Sequence, residues 1–131
     1  MYVLDTNTLI YYFKGQGNVA QNLALVSERE VVIPSIVLFE LYVGVAKSNS
    51  PTKRLQQLNT FSARVSLLPF NQSTAIVSAK IRAYLEKQGQ TIGPLDVLIA
   101  GTALSCEAKL VTHNVREFSR VPNLEVIDWY E

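Results

Sequence analysis

Tyr2-Val3-Leu4-Asp5 opens the chain with a short apolar run closed by a carboxylate. The run reads as a buried strand. A carboxylate at the tip of such a strand is costly unless it is hydrogen-bonded, paired or bound to a metal. The pattern recurs. Glu40 separates Ile36-Val37-Leu38-Phe39 from Leu41-Tyr42-Val43, and Asp96 separates Leu95 from Val97-Leu98-Ile99-Ala100. Only three aspartates occur, and two of them lie inside apolar segments. Acids so placed point to one shared site and to a bound divalent cation.

Outward from this strand, apolar runs and helical patterns alternate. Helices are expected from Thr6 to about Lys14 and from about Asn18 to Glu28, broken by Gly15 and Gly17. Val31 to Pro34 is a second strand. Ser35 offers a cap for a helix to about Lys47. A helix from Pro51 to about Ala63 follows, with Pro at its first position. Val65 to Pro69 is a third strand. Asn71 to Lys87 is an amphipathic helix whose apolar members are Ala75, Val77, Ala79, Ile81 and Leu85. Pro94 begins a helix to about Cys106. Lys109 to Thr112 and Leu124 to Ile127 complete a set of five strands. Strands separated by helices imply an α/β fold, a parallel sheet covered on both faces.

The composition fits one globular domain over 1–131: 48% hydrophobic and 18% charged residues in 131. A net charge of +1 excludes a strongly basic nucleic-acid binder and leaves room for a local basic patch. A single cysteine, Cys106, excludes an internal disulfide framework and suggests a reducing compartment. No apolar run approaches the roughly 20 residues of a membrane span, and no signal-peptide pattern opens the chain. The expectation is a soluble cytoplasmic protein.

In open parallel sheets, ligands bind beyond the carboxyl ends of strands where the connectivity reverses. Asp5 ends the first strand. Thr112 and Asn114 follow the fourth. Asp96 lies in the first turn of the preceding helix, and Glu40 on the helix after the second strand. These segments are expected to meet at one edge of the sheet. Each acid also has a plainer role. Asp5 is a possible N-cap, and Asp96 suits the dipole of a helix start. Glu40 has Lys14 or Lys47 as possible ion-pair partners, with Gly44 on its ridge inviting a close approach. Glu117 lies in a polar stretch whose default is a solvated face. One histidine, His113, and one cysteine cannot build a zinc site. Gly15-Gln16-Gly17-Asn18-Val19-Ala20 imitates a dinucleotide fingerprint but does not directly follow the first strand. A haloacid-type phosphatase needs a second Asp where Asn7 stands, and a receiver domain needs adjacent acids.

Leu4-Asp5-Thr6-Asn7 resembles the opening motif of PIN-domain nucleases. The helix from Ser35 to Glu40 resembles their second acidic position, and Gly93 to Gly101 their third. Leu110 to Phe118, containing Thr112-His113-Asn114-Val115-Arg116-Glu117, resembles the closing motif. The ordered set spans essentially the whole chain and is similar to the VapC-type toxins of bacterial toxin–antitoxin pairs. One departure is Glu117, where many members carry Asp.

The resemblance implies a three-layer PIN-like fold and an endoribonuclease dependent on Mg²⁺, with Mn²⁺ able to substitute. Oxygen ligands suit these hard cations. It implies catalytic Asp5, Glu40, Asp96 and Glu117. Asp5 and Asp96 contact the metal, and Glu40 and Glu117 act through water. Thr6, Asn7, Thr112 and Asn114 orient the acids. Lys14 and Arg116 are the RNA-binding candidates, with Tyr11, Tyr12 and Phe13 nearby for stacking. A structured RNA such as a tRNA, a cognate antitoxin and a homodimer are the implied partners. The helices around Leu9 to Phe13 and Val37 to Val45 offer the surfaces. The alternative is a catalytically inert PIN-like RNA-binding or scaffold module.

Overall fold

The computed structural model describes residues 1–131. Its elements are β1 (Tyr2–Leu4), α1 (Thr6–Lys14), α2 (Val19–Leu23), a 3-10 turn (Glu28–Glu30), β2 (Val31–Pro34), α3 (Ser35–Lys47), α4 (Pro51–Ser62) and β3 (Ser66–Leu68). Then follow α5 (Gln72–Lys87), α6 (Pro94–Ser105), β4 (Lys109–Val111), α7 (Val115–Phe118) and β5 (Val126–Ile127). All strand pairs are parallel, in the order β3-β2-β1-β4-β5. The chain moves from β1 out to β3, then returns to the other side of β1 for β4 and β5. The reversal therefore falls between β1 and β4. Right-handed crossovers running in both directions put helices on both faces. Burial agrees, because Val3 and Leu4, successive residues of β1, are both fully buried, as are Leu110 and Val111 of β4. Leu4 pairs with Val111, so Asp5 and Thr112 leave the sheet side by side.

The five strands lie where their apolar runs predict: β2 matches at both ends, β1, β4 and β5 are shorter at one end, and β3 at both. Four local expectations are corrected. First, α2 stops at Leu23 instead of Glu28. Ser27 leaves the helix and accepts a bond from the Arg29 N–H (3.3 Å), starting the 3-10 turn. Second, Ser35 does not cap α3. Pro34 occupies the cap position, and Ser35 Oγ donates to the Leu68 carbonyl (3.0 Å) at the end of β3. Third, α5 buries Thr74, Ser78, Ile81 and Leu85, while Ala75 and Ala79 are exposed. Fourth, Cys106, which reads as a core residue of an apolar helix, sits half-buried at the C-cap of α6, packed against the edge of the core. Trp129 docks the C-terminal segment, buried against Tyr2 with ring centroids 5.2 Å apart. No helix is long and apolar enough to cross a membrane.

The buried face of α5 is set by close packing on α6. Gly101 of α6 lies against Ser78, whose Cβ is 2.9 Å from where a Cβ on residue 101 would stand. Ser78 Oγ is buried without a hydrogen-bond partner. Gly→Ala inside a helix ordinarily stabilises by about 1 kcal/mol. Here the methyl would overlap Ser78, so Gly101→Ala is expected to destabilise by about 1–3 kcal/mol. Urea unfolding should show a lower midpoint at unchanged slope, and adding Ser78→Ala should recover part of the loss.

Candidate active site

Asp5 is 5% exposed and caps α1 from the end of β1. One carboxylate oxygen, Oδ1, accepts the Thr8 N–H (2.9 Å). The other, Oδ2, accepts Thr112 Oγ1–H (2.5 Å). Its backbone N–H continues the ladder to the Val111 carbonyl (3.1 Å), which also accepts Thr8 Oγ1–H (3.2 Å). The capping role and the placement at the sheet edge are thus one geometry. Burial pushes the Asp5 carboxyl above its ordinary pKa. The bonds from Thr112 and Thr8 pull it down, and the charge of Glu40 adds to the rise.

Asp96 lies one turn into α6, half-buried. Its pKa is pushed from 3.8 up to about 6. Desolvation is the main cause, followed by the charges of Glu40, Asp5 and Glu117. Asp96 therefore feels the charge of each of the other three predicted acids, which stand at the N-cap of α1, on α3 and on α7. Gly93, the N-cap of α6, lies directly beneath this carboxylate: a Cβ there would stand 2.8 Å from Asp96 Oδ2. Gly93→Ala is expected to swing the carboxylate aside, lowering RNA cleavage about 10-fold or more at nearly unchanged stability. Parallel rate and thermal-melt measurements check this.

Glu40 and Glu117 are each held by one neighbour. Thr6 Oγ1 donates to Glu40 Oε1 (2.6 Å), and Asn114 Nδ2 donates to Glu117 Oε2 (3.0 Å). The Asn114 N–H donates to Thr112 Oγ1 (3.0 Å), so the short β4–α7 loop serves Asp5 and Glu117 together. None of the four acids forms an ion pair: the salt bridges of the molecule are Arg64–Glu28, Arg82–Glu86, Lys109–Glu125 and His113–Asp128. The expected alternative for Glu40, a pair with Lys14 or Lys47, is absent. Gly44 on the same ridge faces open space.

Carboxylates whose charges together raise Asp96, with no basic partner, suit a hard cation. A second group of potential ligands, His113, Asp128 and Glu131, has its donor atoms within 4.8 Å of one another. Two of these are already satisfied. His113 Nδ1 donates to Asp128 Oδ2 (2.9 Å), and Asp128 Oδ1 accepts the Tyr130 N–H (2.9 Å).

The family model of the PIN domain matches residues 2–124. This chain is a PIN-domain protein. It is 36% identical to the tRNA(fMet)-specific endonuclease VapC of Salmonella typhimurium, over 98% of this chain and 97% of the relative. It is 37% identical to ribonuclease VapC2 of Rickettsia felis, over 98% of each. The crystal structure of VapBC2 from Rickettsia felis, bound to a DNA fragment from their promoter, superposes with a TM-score of 0.91 at 36% identity, covering 98% of each chain. The chain is a ribonuclease of the VapC type, and its five-stranded parallel sheet flanked by seven helices is the PIN fold.

Within this PIN domain, three of the four predicted supporting residues bond to acids: Thr6, Thr112 and Asn114. Asn7 is exposed and makes no side-chain hydrogen bond. Thr8 was missed. It acts on Asp5 through its backbone N–H, and the only sequence signal is its position three residues after a capping Asp. Lys14 and Arg116 are both exposed and unpaired. Lys14 lines a groove that also holds Glu40 and Arg54. The rings expected to stack on bases are partly buried in contacts of their own. Tyr11 packs on His113 and Tyr130, and Tyr12 and Phe13 pack edge-on or tilted against Phe61.

Proposed function

We propose that Asp5, Glu40, Asp96 and Glu117 are the catalytic acids of this VapC-type ribonuclease, and that the whole chain, 1–131, acts as a single PIN domain in the cytoplasm. The observation that carries the reading is the unpaired acid cluster at the β1/β4 switch point. Asp5 and Asp96 would hold Mg²⁺, with Mn²⁺ able to substitute. When bound, such a cation acidifies water and neutralises charge developing on phosphate.

The protein's own groups set the geometry. Each carboxylate oxygen has two lone pairs. Thr8 and Thr112 occupy one on each oxygen of Asp5, which fixes the plane of the carboxylate and leaves lone pairs for a ligand. Asp96 holds its proton to about pH 6 until a counter-charge arrives. Thr6 aims Glu40, and Asn114 aims Glu117, whose longer arm acts through water in place of the family's Asp. Lys14 and Arg116 bind backbone phosphates beside the acids.

The substrate in this reading is a structured RNA, a tRNA as for the Salmonella relative. The likeness to VapC toxins and to the VapBC2 structure supports a cognate antitoxin as inhibitor. A groove of α1, α3 and α4, lined by Ile10, Phe13, Leu41, Val45 and Leu58 and reaching Glu40, suits an apolar antitoxin segment. Phe39 and Tyr42, 56% and 44% exposed on α3, support a homodimer. The test is incubation of antitoxin-free protein with total small RNA, with Mg²⁺ and with EDTA, and mapping of new ends by sequencing. Discrete Mg²⁺-dependent cuts in tRNA are expected. Metal binding without cuts would instead favour the inert module. Identical cuts from an Asp5→Asn preparation would assign them to a contaminating nuclease.

A further inference from the structure

His113 sits between the two residues that hold Asp5 and Glu117, yet its own hydrogen bond goes to neither acid. Its neighbours Thr112 and Asn114 make the bonds at 2.5 and 3.0 Å described above. Its own ring points the other way, into the C-terminal segment. There the ring stacks on Tyr130 (centroids 4.2 Å apart, planes at 29°) and meets the edge of Tyr11 (5.8 Å). The Nδ1–H donates to Asp128 Oδ2 (2.9 Å). A carboxylate only accepts, so the pairing places a proton on Nδ1.

The segment that grips His113 is itself tied down. Asp128 Oδ1 accepts the Tyr130 N–H (2.9 Å). The Tyr130 carbonyl accepts the Asn18 N–H (2.9 Å), and the Trp129 carbonyl accepts Asn22 Nδ2 (3.0 Å). Gly17, at φ +64, lets Tyr130 lie where a Cβ would stand 2.6 Å from its ring. The strap is thus seated on the α1–α2 connection.

We infer that His113, held by Asp128 and Tyr130, is a positioning residue that fixes the β4–α7 loop so that Thr112 and Asn114 keep Asp5 and Glu117 aimed. This deepens the proposed function and rests on it. A free loop residue at 113 would leave the Thr112 hydroxyl and the Asn114 amide to rotate away from their carboxylates. Groups that orient metal-binding side chains change metal affinity or activity by roughly 10–100-fold when removed.

Two substitutions separate positioning from bulk packing. His113→Asn keeps a donor close to the place of Nδ1, whereas His113→Gln carries its amide farther out, near the place of Nε2. Both remove the ring. Asp128→Asn is a third variant, close in shape to the native residue. Each protein is measured for Mn²⁺ affinity by electron paramagnetic resonance of free Mn²⁺, for kcat and KM on RNA, and for its thermal midpoint. The expected result is that His113→Gln weakens Mn²⁺ binding and lowers kcat about 10-fold at little-changed KM. His113→Asn should stay within about 3-fold of native, and Asp128→Asn should fall between the two. Losses equal in Asn and Gln, or native values in both, would overturn the positioning role. Native protein that neither binds Mn²⁺ nor cleaves RNA would overturn the parent reading, and this one with it. Native protein that is active beside an unaffected His113→Gln would overturn this one alone.

Discussion

Asp96→Asn is expected to abolish RNA cleavage, by about 10³-fold or more, while making the metal-free protein more stable at pH 7.5. The two effects share a cause. The Asp96 carboxyl is pushed from 3.8 to about 6 by burial and by Glu40, Asp5 and Glu117. Between these values the folded chain holds a proton that the unfolded chain has released. Stability therefore falls as pH rises from about 4 to about 6, and the penalty is complete above the folded value. The full shift corresponds to about 3 kcal/mol. Screening of this half-buried group reduces that to about 1–2 kcal/mol. Asn carries no charge, so the substitution removes the penalty above pH 6 and changes little near pH 4. Denaturant melts at pH 4.5 and 7.5 check the sign. The native protein should also gain more from added Mg²⁺ at pH 7.5 than at pH 5, because cation and proton compete for the same carboxylate. A substitution that silences the enzyme and stabilises the fold would mark Asp96 as strained for function.

Thr112→Val is expected to damage both stability and activity. Thr112 is fully buried, and its hydroxyl is the donor to Asp5 Oδ2 as well as the acceptor of the Asn114 N–H. Val has the same shape without the hydroxyl. The change leaves a buried carboxylate oxygen and a backbone N–H each without its partner. Loss of about 2–3 kcal/mol is expected, at the upper end for groups bonded to a charge. The Asp5 pKa should rise further, because one of the bonds that lowers it is gone. Cleavage should fall about 10–100-fold, since Asp5 and Glu117 lose their shared support. Thr112→Ser keeps the hydroxyl and should lose far less on both measures.

The strands and the acids were legible because burial makes them conspicuous. Tyr2-Val3-Leu4 and Val31 to Pro34 are apolar at nearly every position, which only a sheet covered on both faces requires. Asp5 and Asp96 interrupt apolar runs, and an interruption of that kind needs a reason. What stayed hidden lies in geometry that residue type does not encode. The support of Asp5 by Thr8 comes from a backbone N–H, which every residue but proline carries. The buried face of α5 was misread because Ala75 and Ala79 looked like core. The helix instead turns Thr74 and Ser78 inward, where small groups admit α6. Ser35 looked like a cap, but Pro34 already ends β2 in an extended conformation and frees the Ser35 hydroxyl for Leu68. The contacts of Tyr11, Tyr12 and Phe13 with Tyr130 and Phe61, neighbours far along the chain, were likewise invisible in residue type.

The central claim is that the unpaired acids at the end of β1 are a cation site. A crystal soaked in Mn²⁺ and measured at the manganese edge tests it directly. The account predicts an anomalous peak about 2.0–2.3 Å from carboxylate oxygens of both Asp5 and Asp96, absent from a crystal of the Asp5→Asn protein. A peak confined to His113, Asp128 and Glu131, or none near Asp5 and Asp96 at saturating Mn²⁺, would contradict it.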